Sequence, residues 1–177
     1  MGVRKIAFAD GRRMPWRNGA GVTTELAIEP VNVALSARFL YRVSVADIAT
    51  SGPFSRFDGY ERHIVLIEGR GMRVDCGAHG AFDLMPGLPR TFSGDWDVRG
   101  DLVDGPVRDF NVIVDRSRAR SSFDVRVVDA PLDCPPGTTL IVHWLDGAFA
   151  SETWISDEML GVQAPGARAA IARIDVS

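Results

Sequence analysis

The sequence predicts an all-β protein, a sandwich or barrel, on three observations. Short runs suited to strands follow one another at close spacing, glycines and prolines punctuate the gaps between them, and helical periodicity is poor throughout. The chain is organised around Phe39–Gly71, which opens in a strand-like run, crosses a Gly/Pro/Ser loop and ends in a second apolar run.

Val22–Glu29 is the first clear strand. Strict alternation would put Val22, Thr24, Leu26 and Ile28 on one face and Thr23, Glu25, Ala27 and Glu29 on the other. In Phe39–Ala46, one face carries Phe39, Tyr41, Val43 and Val45. The other carries Leu40, Arg42, Ser44 and Ala46. His63–Ile67 follows, stops at Glu68-Gly69, and leads into Met72–Cys76. Val107–Val114, Phe123–Val128 and Thr138–Leu145 are the next strands, the last of them a hairpin partner for Phe149–Trp154 through Asp146-Gly147. Helix signals are limited to one turn at Asp47–Thr50, while Arg116–Ser121 is a polar connector. Ala167–Ile174 suits a short helix or a last strand, and periodicity does not decide. Each half holds a strand–turn–strand unit followed by Pro-Gly, at Pro86-Gly87 and Pro165-Gly166, so a duplicated barrel is open, with its boundary near Arg116–Ser122.

The chain has 177 residues, enough to bury a substantial core. The net charge of −3, without a long run of one sign, gives no electrostatic case for nucleic acid or an anionic membrane. No segment approaches the length of a membrane span and no signal-peptide pattern opens the chain, so the cytoplasm is the expected compartment. Cys76 and Cys134 are expected as two buried thiols rather than a disulfide.

Three histidines, His63, His79 and His143, lie far apart in sequence with no His-x-His pair, so no metal site is expected from spacing. No serine lies in a Gly-x-Ser-x-Gly turn, and Cys134 has no local base. Gly19 and Gly21 lack the Lys-Ser/Thr ending of a phosphate loop. The chemistry left is a set of polar residues in strand-like segments: Trp16, Asn18 and Thr23 around a flexible turn, Arg42 and Ser44 on one strand face, Arg62 at the entry to the next strand, and Asn111 beyond Asp109. An inward arginine needs a carboxylate, from the protein or from a ligand. The guanidinium fork donates two parallel hydrogen bonds to such a group. Glu25, Asp58, Glu61 and Asp109 are the protein's own candidates, and the pattern leaves the choice open.

Trp16-Arg17-Asn18-Gly19-x-Gly21-x-Thr23-x-Glu25, Arg42-x-Ser44-x-Ala46, Gly52-Pro53-Phe54-Ser55, Glu61-Arg62, Leu66-Ile67-Glu68-Gly69 and Asp109-Phe110-Asn111 together resemble the HutD/Ves family in order and spacing. The blocks cover roughly residues 14–114; the second half matches loosely. The resemblance implies a bicupin, two cupin-like (RmlC-like jelly-roll) β-barrels in one chain of 177 residues, with approximate halves 1–116 and 117–177. It makes Glu68-Gly69 the turn of the first cupin motif and Met85-Pro86-Gly87 the start of the second. Ordinary cupins place histidines and a carboxylate there, whereas this chain offers His63 alone and Thr91 or Phe92 near the last ligand position.

The family is associated with histidine utilisation, where a regulatory role and a formylglutamate-like ligand have been proposed. The expected function is therefore a metal-free bicupin, without cofactor, that senses or buffers a small carboxylate-bearing metabolite. Arg42 and Arg62 would hold the carboxylate, Asn18, Thr23, Ser44 and Asn111 would orient it, and Trp16 would form an apolar wall. The rivals are a cupin enzyme using an unrecognised metal or Asp109 or Glu25 as acid or base, and an interaction protein with a filled barrel. Exposed barrel edges favour a homodimer.

Overall fold

The computed structural model describes residues 2–32, 34 and 37–176. Among the described residues fifteen strands run in chain order: β1 (Arg4–Ala7), β2 (Arg12–Pro15), β3 (Gly21–Glu29), β4 (Tyr41–Ile48), β5 (Gly52–Pro53), β6 (Tyr60–Glu68), β7 (Met72–Asp75), β8 (Ala81–Leu84), β9 (Arg90–Ser93), β10 (Arg99–Leu102), β11 (Val107–Asp115), β12 (Ala119–Val127), β13 (Thr138–Trp144), β14 (Glu152–Ser156) and β15 (Arg168–Val176). Helix among the described residues is limited to short 3-10 turns, and none is long and apolar enough to cross a membrane.

The chain divides into two compact units, Arg12–Ser117 and Arg118–Ser177 with Met1–Gly11. In the first unit a six-stranded sheet, β2-β3-β4-β11-β6-β9, packs on a four-stranded sheet, β5-β10-β7-β8. Apolar residues of the large sheet (Ala46, Ile64, Leu66, Phe92) interdigitate with Met72, Val74 and Leu84 of the small one, the usual way two half-apolar sheets exclude water. A second cluster of Ile28, Phe39, Tyr60 and Ile113, with Phe57 packed against it, extends the apolar packing.

Register fixes what faces the site. Directly opposite residues share a face, so the pairs Glu25↔Ser44, Thr23↔Ala46, Ser44↔Asn111, Arg42↔Ile113, Asn111↔Ile64 and Ile113↔Arg62 collect one polar stripe across four strands. Two irregularities maintain it. Leu26 is an extra residue in β3, so that Ala27 pairs with Val43 and Ile28 with Arg42; the strict alternation expected for Val22–Glu29 therefore fails after Glu25, because a bulge swaps the faces. A matching shift near Asp109 leaves Ile67 unpaired in β6.

Strand β6 begins earlier than its apolar run, taking Arg62 inside the sheet. Gly69, at φ 100°, leads the chain from β6 into β7 of the other sheet. A Cβ there would meet the Pro106 carbonyl oxygen at 2.8 Å, so only glycine fits. Asp47–Thr50 is not a helical turn: Asp47 and Ile48 finish β4, where they pair with β3 and β11.

The second unit is one sheet, β1-β14-β13-β15-β12. Its core stacks Trp144 edge-on against Trp154, with centroids 5.4 Å apart, among Leu140, Val142, Ile171 and other buried residues. Residues 168–176 form a strand, not a helix, because they pair on both sides, with β12 and β13. The Asp146-Gly147 connection is longer than a two-residue hairpin; a 3-10 turn at Gly147–Phe149 intervenes before β14. The polar connector is also shorter than expected, since β12 starts at Ala119. The N-terminal strand, assigned above to the first half, pairs instead with β14. Both cysteines are free, Cys76 buried and Cys134 half-buried.

Candidate ligand-binding site

The polar stripe of the six-stranded sheet floors a cavity of about 520 Å³ within the Arg12–Ser117 unit, inside the size range of small-molecule sites. All seven residues singled out from the sequence, Trp16, Asn18, Thr23, Arg42, Ser44, Arg62 and Asn111, line it.

The rim on one side is the turn between β2 and β3. Asn18 Oδ1 accepts the Ala20 N–H at 3.0 Å, closing the turn. Trp16 Nε1 donates to Thr23 Oγ1 at 2.8 Å, which fixes the indole plane. The Ala20 carbonyl accepts the Ala49 N–H at 2.8 Å and ties the turn to the end of β4. Gly21 permits this approach, since a Cβ there would lie 2.4 Å from the Asp47 carbonyl oxygen.

On the floor the two arginines differ. Arg42 Nε donates to Glu25 Oε2 at 2.8 Å, and Glu25 Oε1 accepts from exposed Arg12 at 2.9 Å. Arg42 is thus held by the protein's own carboxylate. Among the described residues Arg62 meets only neutral acceptors: Nη1 donates to the Ser55 carbonyl at 3.2 Å and Nη2 to Asn111 Oδ1 at 3.3 Å. Its Nε is buried without a hydrogen-bond partner among the described residues. Phe54, Phe57 and Phe92 surround the guanidinium at 5.2, 5.6 and 5.1 Å from their centroids, a cation–π cage. Burial, with Arg42 adding repulsion and Asp109 offsetting part of it, pushes the Arg62 pKa down to about 10, so it stays charged at neutral pH.

Asp109 completes the floor. Its carboxyl accepts from Asn111 Nδ2 and lies behind a chain Asp109–Asn111–Arg62, but makes no ion pair with Arg62. Burial raises its pKa to about 7, against the opposing pull of Arg62, the Asn111 hydrogen bond and the Ala46 N–H. Asp58 and Glu61, the other carboxylates considered for the arginines, do not serve this site: Asp58 pairs with Arg56, and Glu61 points to the opposite face of β6.

The phenylalanine cage was not read from the sequence. Phe54 and Phe57 flank the loop that carries Ser55, but only the pairing Arg62↔Phe92 brings the third ring in, and no local pattern encodes that.

The donor set does not fit a cupin metal. His63 follows Arg62 in the strand and projects from the opposite face, where its Nδ1 bonds Thr91 Oγ1 at 2.8 Å. His79 stacks on Trp96 at 4.3 Å, and His143 bonds Thr153 in the other unit. Among the described residues no three His, Cys, Asp or Glu converge.

Strands and pocket together define a cupin-fold protein with a polar cavity in its β-sandwich. A cupin conserved barrel domain protein from Leptotrichia buccalis superposes with TM-score 0.58 at 13% identity, covering all of this chain and 98% of that one. The HutD family model matches residues 8–164, and the chain belongs to the HutD family. HutD from Pseudomonas fluorescens superposes with TM-score 0.76 at 29% identity, covering 99% of this chain and 98% of the other. A conserved protein of unknown function from Pseudomonas aeruginosa gives TM-score 0.84 at 29% identity over both full chains. In sequence, a protein from the hutC 3′ region of Pseudomonas putida is 40% identical over 67% of this chain, a match that spans only 62% of that relative's length. Protein Ves of Cronobacter sakazakii is 34% identical over 81% of this chain and 78% of its own.

Proposed function

We propose that the chain is a cytoplasmic, metal-independent bicupin that binds a small carboxylate-bearing metabolite and thereby senses or buffers it. The observation that carries this is Arg62: a buried cation on a cavity floor, held by two long bonds to neutral acceptors, with a donor unsatisfied. Leaving a buried charge unpaired is costly, and a ligand carboxylate would supply the missing acceptor. Charge-assisted hydrogen bonds are worth about 1.5–3 kcal/mol each, so two supply much of the roughly −8 kcal/mol of micromolar binding and three good ones reach it. The family's association with histidine utilisation makes a formylglutamate-like compound the first ligand to test, in a regulatory role. Calorimetric titration with N-formylglutamate and glutamate is the test. Micromolar heat that Arg62→Ala abolishes supports the reading; no heat with either compound, or unchanged binding in the variant, overturns it.

A second reading rests on Asp109, a carboxyl on the same floor held at about 7, where a general acid or base works best. Turnover of the bound compound that Asp109→Asn removes would make the protein an enzyme. Self-association is proposed through β12, a nine-residue strand at the edge of its sheet, and sedimentation of Asp124→Pro against the parent tests it.

A further inference from the structure

The carboxylate reading, on which this inference rests, gives no role to a further buried ionisable group of the cavity, Asp109. Arg62 and Asp109 face the same space from neighbouring strands, and Asn111 bridges them, donating to Asp109 and accepting from Arg62 Nη2. We propose that Asp109 is the specificity-determining partner of Arg62: the site takes up a carboxylate together with one proton, which Asp109 holds and offers to an acceptor oxygen of the same ligand.

Among the described residues Arg62 is the cation that favours the ionised Asp109, and it only partly offsets burial, so the carboxyl titrates near 7. A ligand carboxylate at Arg62 neutralises that help and places a second anion beside the first. The pKa of Asp109 must then rise, because like charges in a desolvated site disfavour the ionised form. The other charged and titratable groups around Asp109 do not reverse this. From β4, Asp47 adds repulsion; Arg42 is committed to Glu25 of β3; and the apolar cluster that packs on Ala46 and Leu66 brings only the thiol of Cys76, itself shifted up by burial. His63 lies on the far face and is held near 4 by burial, neutral throughout the relevant range.

A ligand class follows. With Asp109 neutral, the floor offers one cation and one O–H donor, which suits a carboxylate flanked by a carbonyl oxygen. An ammonium in that place would meet the Arg62 cation, with Asp109 neutral and unable to offset it. N-acylated amino acids therefore fit better than the free amino acids. Were Asp109 to stay ionised, the preference would be the reverse.

The test uses the intact protein with N-formylglutamate and glutamate as probes, titrated in buffers of different ionisation heat. Between about pH 7 and about pH 9 the affinity for N-formylglutamate is expected to fall up to about tenfold per unit, and to flatten below about pH 6, where Asp109 is already protonated. The linked uptake should approach one proton, with a carboxylic-acid band appearing in the infrared difference spectrum. Asp109→Asn, which mimics the protonated carboxyl, should bind with pH-independent affinity and no uptake. Uptake that persists in Asp109→Asn, or preference for glutamate without uptake, overturns the proposal. A pH-flat, uptake-free affinity in the parent that Arg62→Ala still abolishes also overturns it while leaving the carboxylate site standing. No binding of either probe overturns both.

Discussion

Arg42 and Arg62 lie on strands that flank β11 on opposite sides, share one cavity floor, and are buried almost equally, at 6% and 8% exposure. Their surroundings nevertheless divide them. Strand β3 places Glu25 opposite Ser44, diagonal to Arg42, so the sheet provides the carboxylate. For Arg62 the cross-strand neighbours are Ile113 on one side and Phe92 on the other, with Asn111 on the diagonal. Residue type and strand position are alike; the neighbouring strand decides which arginine meets a carboxylate and which meets only an amide and a backbone carbonyl.

Removal of Glu25 has the largest expected effect on the two arginines. Glu25→Ala strands a buried Arg42, and losing one partner of a buried pair costs about 3–5 kcal/mol. Urea unfolding should show that loss as a lower midpoint at constant slope. Replacing both partners with apolar residues, as in Glu25→Leu with Arg42→Met, should restore most of it. A cost below about 1 kcal/mol for Glu25→Ala would mean that Arg42 is not held as described.

Asp109 gives the next effect. Its folded pKa of about 7 lies above the unfolded carboxylate value, so the native state binds more protons between the two. Stability from this group is present below about pH 4 and is lost as pH rises to about 7, by up to about 4 kcal/mol. Asp115 works in the opposite direction: two hydrogen bonds from Arg38 hold it down at about 2, so its contribution is lost as pH falls below about 4. Thermal midpoints across pH should therefore decline less from pH 4 to 7 in Asp109→Asn than in the parent.

For Arg62, Arg62→Met removes a desolvated charge and keeps volume among three rings. The folded state should be unchanged or more stable by about 1–2 kcal/mol, while carboxylate binding falls at least about a hundredfold, from the loss of charge-assisted bonds. If this variant is destabilised as much as Glu25→Ala, the two arginines do not differ in kind.

Much of this site was legible in the sequence because it follows period 2. Arg42 and Ser44 alternate with Tyr41 and Val43, so one look at Phe39–Ala46 separates floor from core, and the register bears the split out. The apolar run His63–Ile67 puts Arg62 at a strand entry, whereas the sheet extends back over Glu61 and Tyr60 by pairing them with Val114 and Asp115. The strands β2, β9 and β10 carry too few apolar residues to announce themselves, and β8 is only four residues long; β9 and β10 exist because distant partners pair with them, as Asp75 does with Arg99. The bulge at Leu26 leaves no compositional trace. Which arginine would find a carboxylate could not be read either, since that depends on diagonal neighbours across strands.

The smallest effect belongs to a third arginine, six residues before Arg62. Arg56 bonds Asp58 at 2.9 Å and Asp97 at 3.0 Å, a better set of ion pairs than Arg62 has, yet all three side chains are largely in water. Solvent and salt screen such pairs, and the ordering of long side chains offsets much of what remains. Arg56→Ala should leave the urea midpoint of unfolding close to that of the parent, with any difference vanishing in about 1 M salt. The variant also sharpens the comparison, because Arg56 sits between Ser55, whose carbonyl accepts from Arg62, and Phe57 of its cage. If the cage is held by packing, affinity for the carboxylate probe should move less than about twofold, under 0.5 kcal/mol. A large loss of affinity with unchanged stability would instead show that the 54–57 segment is positioned by its surface ion pairs, and that the environment of Arg62 extends to the solvent.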